Sequence, residues 1–139
     1  MAMQIKKILI ADDDAEDISI IKDAMELLEV VDVLWPAQNG EQAFEILQES
    51  FESSTKPCLI VLDLNMPKMN GIQTLGKLKT DERFKDIPVI IYSTSVNPLE
   101  KETCLRLGAH SYIPKPVSFK ESMETAKLFL QFCDLKSFA

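Results

Sequence analysis

Three short apolar runs in this sequence each end in residues able to hold a cation or carry a phosphoryl group. Residues 8–11 (Ile-Leu-Ile-Ala) run into Asp12, Asp13 and Asp14; residues 58–62 run into Asp63; residues 88–92 run into Ser93 and Thr94. A shorter run leads to Lys115, set between Pro114 and Pro116. Carboxylates about 4 Å apart repel by on the order of 4 kcal/mol at an effective dielectric near 20. Either some of them hold protons or a cation sits among them. A hard divalent ion is the simple solution, and magnesium takes one or two carboxylates together with waters and phosphate oxygens. Lys115 then offers a positive charge to one phosphoryl oxygen and Ser93 a hydroxyl to another. Asp63 is left as a carboxylate nucleophile able to form an acyl-phosphate. Taken singly, each residue has a plainer reading: helix cap for Asp12 to Asp14, loop polarity for Asp63, a solvated side chain for Lys115 and Ser93. Their joint arrival at strand ends is what points to a site.

Those residues converge only if the fold lays the runs side by side. The apolar runs alternate with segments of helical period. Ile18, Ile21, Met25 and Leu28 recur at the spacing of an amphipathic helix. Asp14 is placed as its N-cap, with Asp17 three residues on in the capping-box position. Residues 30–35 read as a second strand stopped by Pro36, and residues 40–50 as a second helix with Ala43, Phe44 and Leu47 on one face. Residues 51–57 read as a polar loop, longer than a minimal connection, before the third strand at 58–62. A third helix begins near Ile72, with Leu75 and Leu78 inward. The fourth strand is 88–92. Pro98 suits the first turn of a fourth helix and Gly108 its C-terminal cap. A short fifth strand at 111–113 precedes a last helix over 119–133. Unbroken apolar strands are the kind buried on both faces. The expectation is therefore an α/β protein: a doubly wound, five-stranded parallel sheet with five alternating helices. In such a sheet ligands bind beyond the carboxyl ends of the strands, where all the candidate residues fall.

The 139 residues suit one domain, with 46% hydrophobic and 27% charged residues supporting both a core and a soluble surface. Fifteen basic against 22 acidic residues give a net charge of −7, which argues against nucleic acid as a direct partner. No apolar run approaches a membrane span, and residues 1–7 lack the core of a secretory signal. A cytoplasmic single domain over 1–139, core 6–133, with no output domain, is expected. Cys58, Cys104 and Cys133 have no paired spacing and read as reduced thiols, small buried hydrophobes in a cytosolic protein.

With these residues in place, the chain resembles the receiver domain of two-component response regulators over residues 6–133. ILIADDD matches the acidic pair, Asp12 and Asp13, that holds magnesium in the family. VLDLNMPKMNG matches the phosphorylation segment, with Asp63 as phosphoacceptor and Asn65 supplying a backbone carbonyl to the metal. IIYSTS places Ser93 at the switch hydroxyl. SYIPKP places Lys115-Pro116 at the Lys-Pro motif, usually cis in the family, and Tyr112 at the switching aromatic. The resemblance implies phosphoryl transfer from a sensor histidine kinase or a histidine phosphotransfer protein. It also implies a switch that Ser93 and Tyr112 transmit to a downstream protein through the fourth helix, fifth strand and fifth helix. Asn65 and Thr94, flanking the path of an attacking water, are expected to tune the lifetime of the phosphorylated state.

Two other readings compete. A phosphohydrolase of the haloacid dehalogenase type also uses a strand-end Asp and magnesium, but it needs a second Asp two positions later, where this chain has Asn65. A receiver-like binding module that is never phosphorylated would have no use for the full Asp12, Asp13, Asp63, Ser93 and Lys115 set. The expected protein is a signalling switch, not an enzyme beyond assisting its own phosphorylation and dephosphorylation.

Overall fold

The computed structural model describes residues 2–94 and 97–135; Ser95 of the quoted motif and the chain ends lie outside them. In chain order the elements are β1 (Met3–Ala11), α1 (Ala15–Leu27), β2 (Leu34–Ala37), α2 (Gly40–Glu52), β3 (Thr55–Leu62), α3 (Gly71–Lys79), β4 (Val89–Ser93), α4 (Pro98–Arg106), β5 (Ser111–Pro114) and α5 (Phe119–Gln131). The strands form one sheet in the order β2-β1-β3-β4-β5, and every pairing is parallel. This is the doubly wound α/β architecture that the sequence predicts.

The unbroken apolar runs follow from burial on both sides of the sheet. Side chains alternate along a strand: Leu9, Ala11, Ile60, Leu62, Val89 and Ile91 face one side, where they pack with residues of α2, α3 and α4 such as Ala43, Leu47, Leu75, Leu78 and Cys104. Ile8, Ile10, Leu59, Val61, Ile90 and Tyr92 face the other, against Ile21 and Met25 of α1 and Ala126 and Phe129 of α5. A polar residue on either face would lack water, so only the strand ends are free to carry charge.

Short polar side chains begin the helices. Asp14, Asn39, Asn70, Asn97 and Ser118 are the N-caps, each accepting a hydrogen bond from a first-turn N–H. Gly108, at φ 109°, lies just past the end of α4. There the Ala109 N–H reaches the Cys104 carbonyl and the Gly108 N–H the Leu105 carbonyl, the bond pair of a Schellman closure.

Three expectations need correction. Strand β2 is Leu34–Ala37, not 30–35, and Pro36 lies within it. The valine-rich stretch before it turns instead, with Glu29 at φ 65° and Asp32 at φ 56°. Pro36 is tolerated because β2 is an edge strand paired only with β1, where a missing N–H costs no ladder bond. The long loop expected at 51–57 shrinks to residues 53–54: Phe51 packs edge-on against Phe84 at 6.2 Å and carries α2 on to Glu52. Thr55, Lys56 and Pro57 already pair with Met3, Gln4 and Ile5. Finally, Cys58 and Cys133 are joined as a disulfide, with Cα atoms 5.5 Å apart across a separation of 75 residues. Packing of the chain after α5 against β3 makes that pair, and no sequence spacing announces it. Cys104 is free and buried, as read.

Candidate functional site

Strand order reverses between β1 and β3, from which the chain builds outward to β2 on one side and to β4 and β5 on the other. A crevice opens at such a point beyond the carboxyl ends. The Asp12 N–H donates to the Ala37 carbonyl and the Asp63 N–H to the Ala11 carbonyl, both at 2.9 Å. The ladder thus runs one residue past each strand and fixes both backbones. Ser93 closes β4, and its carbonyl accepts from the Lys115 N–H at 3.0 Å, which sets Lys115 just beyond β5. Asp12 and Asp63 are buried and Asp13 exposed; one carboxylate oxygen from each lies within 4.8 Å of the others. The Lys115 ammonium joins them, 2.7 Å from Asp12 Oδ2 and 3.5 Å from Asp63 Oδ2.

Burial is the main influence on the Asp63 carboxyl and raises its pKa. The charge of Lys115 lowers it, that of Asp12 raises it, and a hydrogen bond from the Asn65 N–H lowers it. The balance is pushed up to about 6. Burial works against the Lys115 ammonium too, but contacts with Asp12 and Asp17 and the charge of Asp63 outweigh it and hold Lys115 above its ordinary value. The lysine is therefore a fixed positive charge at neutral pH. Asp12 Oδ2 is buried, with the Lys115 ammonium as its ion-pair partner. Three carboxylates, each with an oxygen within 4.8 Å of the others, are the hard oxygen donors that fit a divalent cation.

The other sequence-predicted residues fall at or just beyond the ends of β3 and β4 and within β5. Ser93 is fully buried at the end of β4. Thr94 follows it, and Asn65 lies two residues after Asp63; both are exposed. Tyr112 on β5 pairs in register with Ile91 and packs, half-buried, against the core on the α2–α4 side of the sheet. The Lys115-Pro116 peptide is trans, since no peptide among the described residues is cis. That differs from the resemblance; the two isomers of an X–Pro bond differ intrinsically by only about 1 kcal/mol, so a dipeptide motif does not choose between them.

Sequence reasoning missed three contributors. Asp17 does not complete a capping box: Asp14 caps through the Glu16 N–H, while Asp17 accepts a hydrogen bond from the Lys115 ammonium at 2.7 Å. Nothing in its position distinguishes it from an ordinary first-turn acid. Gly71 reads as a turn glycine, yet a Cβ there would meet the Asp63 carbonyl oxygen at 2.3 Å and Leu64 Cα at 2.7 Å. Its lack of a side chain lets α3 start directly beneath the Asp63 segment, tied by the Gly71 N–H to the Leu64 carbonyl at 3.0 Å. Tyr92 looks like a core aromatic and is one, stacked edge-on against Phe129 at 5.6 Å, but its ring also lies 5.8 Å from the Lys115 ammonium.

Comparison with known proteins bears on the same residues. Residues 8–127 match the family model of the response regulator receiver domain. The chain is 36% identical over 121 residues to the chemotaxis protein CheY1 of Helicobacter pylori, covering 85% of this chain and 94% of that protein. Its fold is similar to the phosphorylated cyanobacterial phytochrome response regulator RcpA, with TM-score 0.79 at 30% identity over 91% of this chain and 92% of that one. It is similar also to the Mn(2+)-bound form of response regulator Rcp1, with TM-score 0.80 at 26% identity over 97% and 99% of the two chains. The acidic crevice at the strand-order switch and the match over most of the chain lead to one conclusion: this protein belongs to the response regulator receiver domain family of two-component signal transduction.

Proposed function

We propose that Asp63 is the phosphoacceptor of this receiver and that phosphorylation switches its interaction with another protein. The observation that carries the reading is the three-acid crevice beside Lys115, in which buried Asp12 adjoins an Asp63 carboxyl that burial disfavours as an anion. Asp12, Asp13, Asp63 and the Asn65 carbonyl would hold Mg2+. The ion supplies charge neutralisation to the phosphoryl oxygens.

An Asp63 carboxylate oxygen attacks phosphorus of a phosphohistidine on a sensor kinase or phosphotransfer protein. The O–P bond forms, the P–N bond breaks, and the imidazole leaves with the electron pair and takes up a proton. Lys115 meets one phosphoryl oxygen and the Ser93 hydroxyl another. Drawing Ser93 inward frees space that Tyr112 fills, biasing α4, β5 and α5 toward the state that a downstream protein selects. Asn65 and Thr94, both exposed beside the acceptor, border the route of a hydrolytic water and set the lifetime of the acyl-phosphate. The protein acts in the cytoplasm as a signalling switch, without nucleic acid or membrane as a direct partner. Among the described residues no helix is long and apolar enough to cross a membrane.

The test is incubation with acetyl phosphate and Mg2+, followed by intact mass. The expected result is a gain of one phosphoryl group that disappears in Asp63→Asn. A parent chain that gains none, or a mutant that gains as much, overturns the reading in favour of a binding module that is never phosphorylated.

A further inference from the structure

The geometry points to Asp17 as a positioning residue that acts through Lys115, an inference that rests on Asp63 being the phosphoacceptor. Lys115 has three carboxylate neighbours, but it does not treat them alike. The ammonium lies 2.7 Å from Asp17 Oδ2 and donates a hydrogen bond there. Asp12 Oδ2 is equally near, also at 2.7 Å. Asp63 Oδ2 is farther, at 3.5 Å. One of the two carboxylates nearest the lysine, Asp17, is thus neither the proposed acceptor nor a proposed metal ligand.

Local structure explains why Asp17 is available. It stands at the third position of α1, where an acid commonly folds back to the N–H of the N-cap residue. Here the N–H of Asp14 is already taken by Asp12 Oδ1 at 2.9 Å, and Asp14 caps the helix through Glu16. Asp17 is released from capping and turns toward the crevice. The Tyr92 ring, packed against Phe129 on the α1–α5 side of the sheet, stands 5.8 Å from the ammonium. Asp17 on α1 and Tyr92 on β4 both stand beside the lysine, whose side chain is only 9% exposed.

This arrangement has a consequence for both states. Before phosphorylation, a lysine drawn fully onto Asp63 would occupy the oxygens that a cation and phosphorus must reach. Asp17 holds it back. After phosphorylation, a phosphoryl group on Asp63 extends toward the lysine, and an ammonium anchored on Asp17 meets it with little reorganisation. Asp17 touches neither the cation nor phosphorus in this scheme.

The experiment is a double-mutant cycle over Asp17→Asn and Lys115→Met, with Asp17→Glu as the conservative variant. Two quantities are read: Mn2+ affinity by electron paramagnetic resonance titration, using the metal alone, and the rate of phosphoryl uptake from acetyl phosphate with Mg2+. With Lys115 present, Asp17→Asn is expected to lower each by about tenfold, the size of a coupling between contacting groups. Asp17→Glu should restore a large part of that loss. With Lys115→Met, Asp17→Asn should change each by less than about twofold. Equal losses in the two backgrounds would overturn the inference, because Asp17 would then act by its own field or by supporting α1. No loss in either background would overturn it as well. A parent chain that binds Mn2+ but takes up no phosphoryl group would refute the phosphoacceptor reading, while the Mn2+ cycle would still decide whether Asp17 works through Lys115.

Discussion

The Lys115 ammonium stands 3.5 Å from Asp63 Oδ2, the longest of its three carboxylate contacts. The residue proposed to attack phosphorus is thus the least closely approached of the three carboxylates that Lys115 contacts. Burial then keeps its carboxyl pushed up to about 6, above the ordinary 3.8. A fold that held only a lysine against this aspartate would gain from closing the pair. Leaving it partly open costs stability in the metal-free protein and leaves room for a cation.

That cost is measurable through pH. Because the folded-state value is raised, the fold disfavours the ionised form of Asp63. Below pH 3.8 the group is protonated in the folded and unfolded chains alike and costs nothing. Between 3.8 and about 6 the unfolded chain releases its proton first, and stability falls; above about 6 the loss is complete. Without metal, Asp63→Asn should therefore gain on the parent by on the order of 2–3 kcal/mol between about pH 4 and pH 7. Urea unfolding of both proteins checks this. Added Mg2+ at pH 7 should stabilise the parent and leave the mutant nearly unchanged.

A second expectation concerns Gly71. An alanine there would set its Cβ against backbone atoms of Asp63 and Leu64, neither of which can rotate away. The turn after β3 must shift, so Gly71→Ala should cost about 1–3 kcal/mol in urea unfolding. Phosphoryl uptake should fall along with it. Gly76, with no atom within 4 Å of a built Cβ, supplies the control: Gly76→Ala in the middle of α3 should be stabilising by up to about 1 kcal/mol.

A third expectation concerns the cysteines. Cα atoms 5.5 Å apart lie within the normal span of a disulfide. Protein purified without reductant and then unfolded should take up alkylating reagent at Cys104 alone, and at all three cysteines after reduction. The bridge closes a long loop, so its loss should lower unfolding free energy by about 2–4 kcal/mol. In a reducing cytoplasm the two thiols would stand side by side unbonded, and the same mass measurement on freshly lysed cells distinguishes the two states.

The sequence by itself determined the architecture and most of the crevice. Unbroken runs such as residues 8–11 and 58–62 are affordable only in strands covered on both faces, and that alone requires alternating helices and a parallel sheet. Charge at the ends of those runs then has one place to go, which made Asp12, Asp13, Asp63, Ser93 and Lys115 legible as a group. What the tertiary structure decided were features without local signature. Pro36 sits inside β2 because β2 turned out to be an edge. Phe51 extends α2 because Phe84 lies across from it. Cys58 finds Cys133 because α5 ends over β3. Asp17 finds Lys115 across 98 residues of sequence. Periodicity reports which face of an element is apolar; which partner a side chain meets there depends on packing between elements remote in sequence, and only the folded chain fixes that.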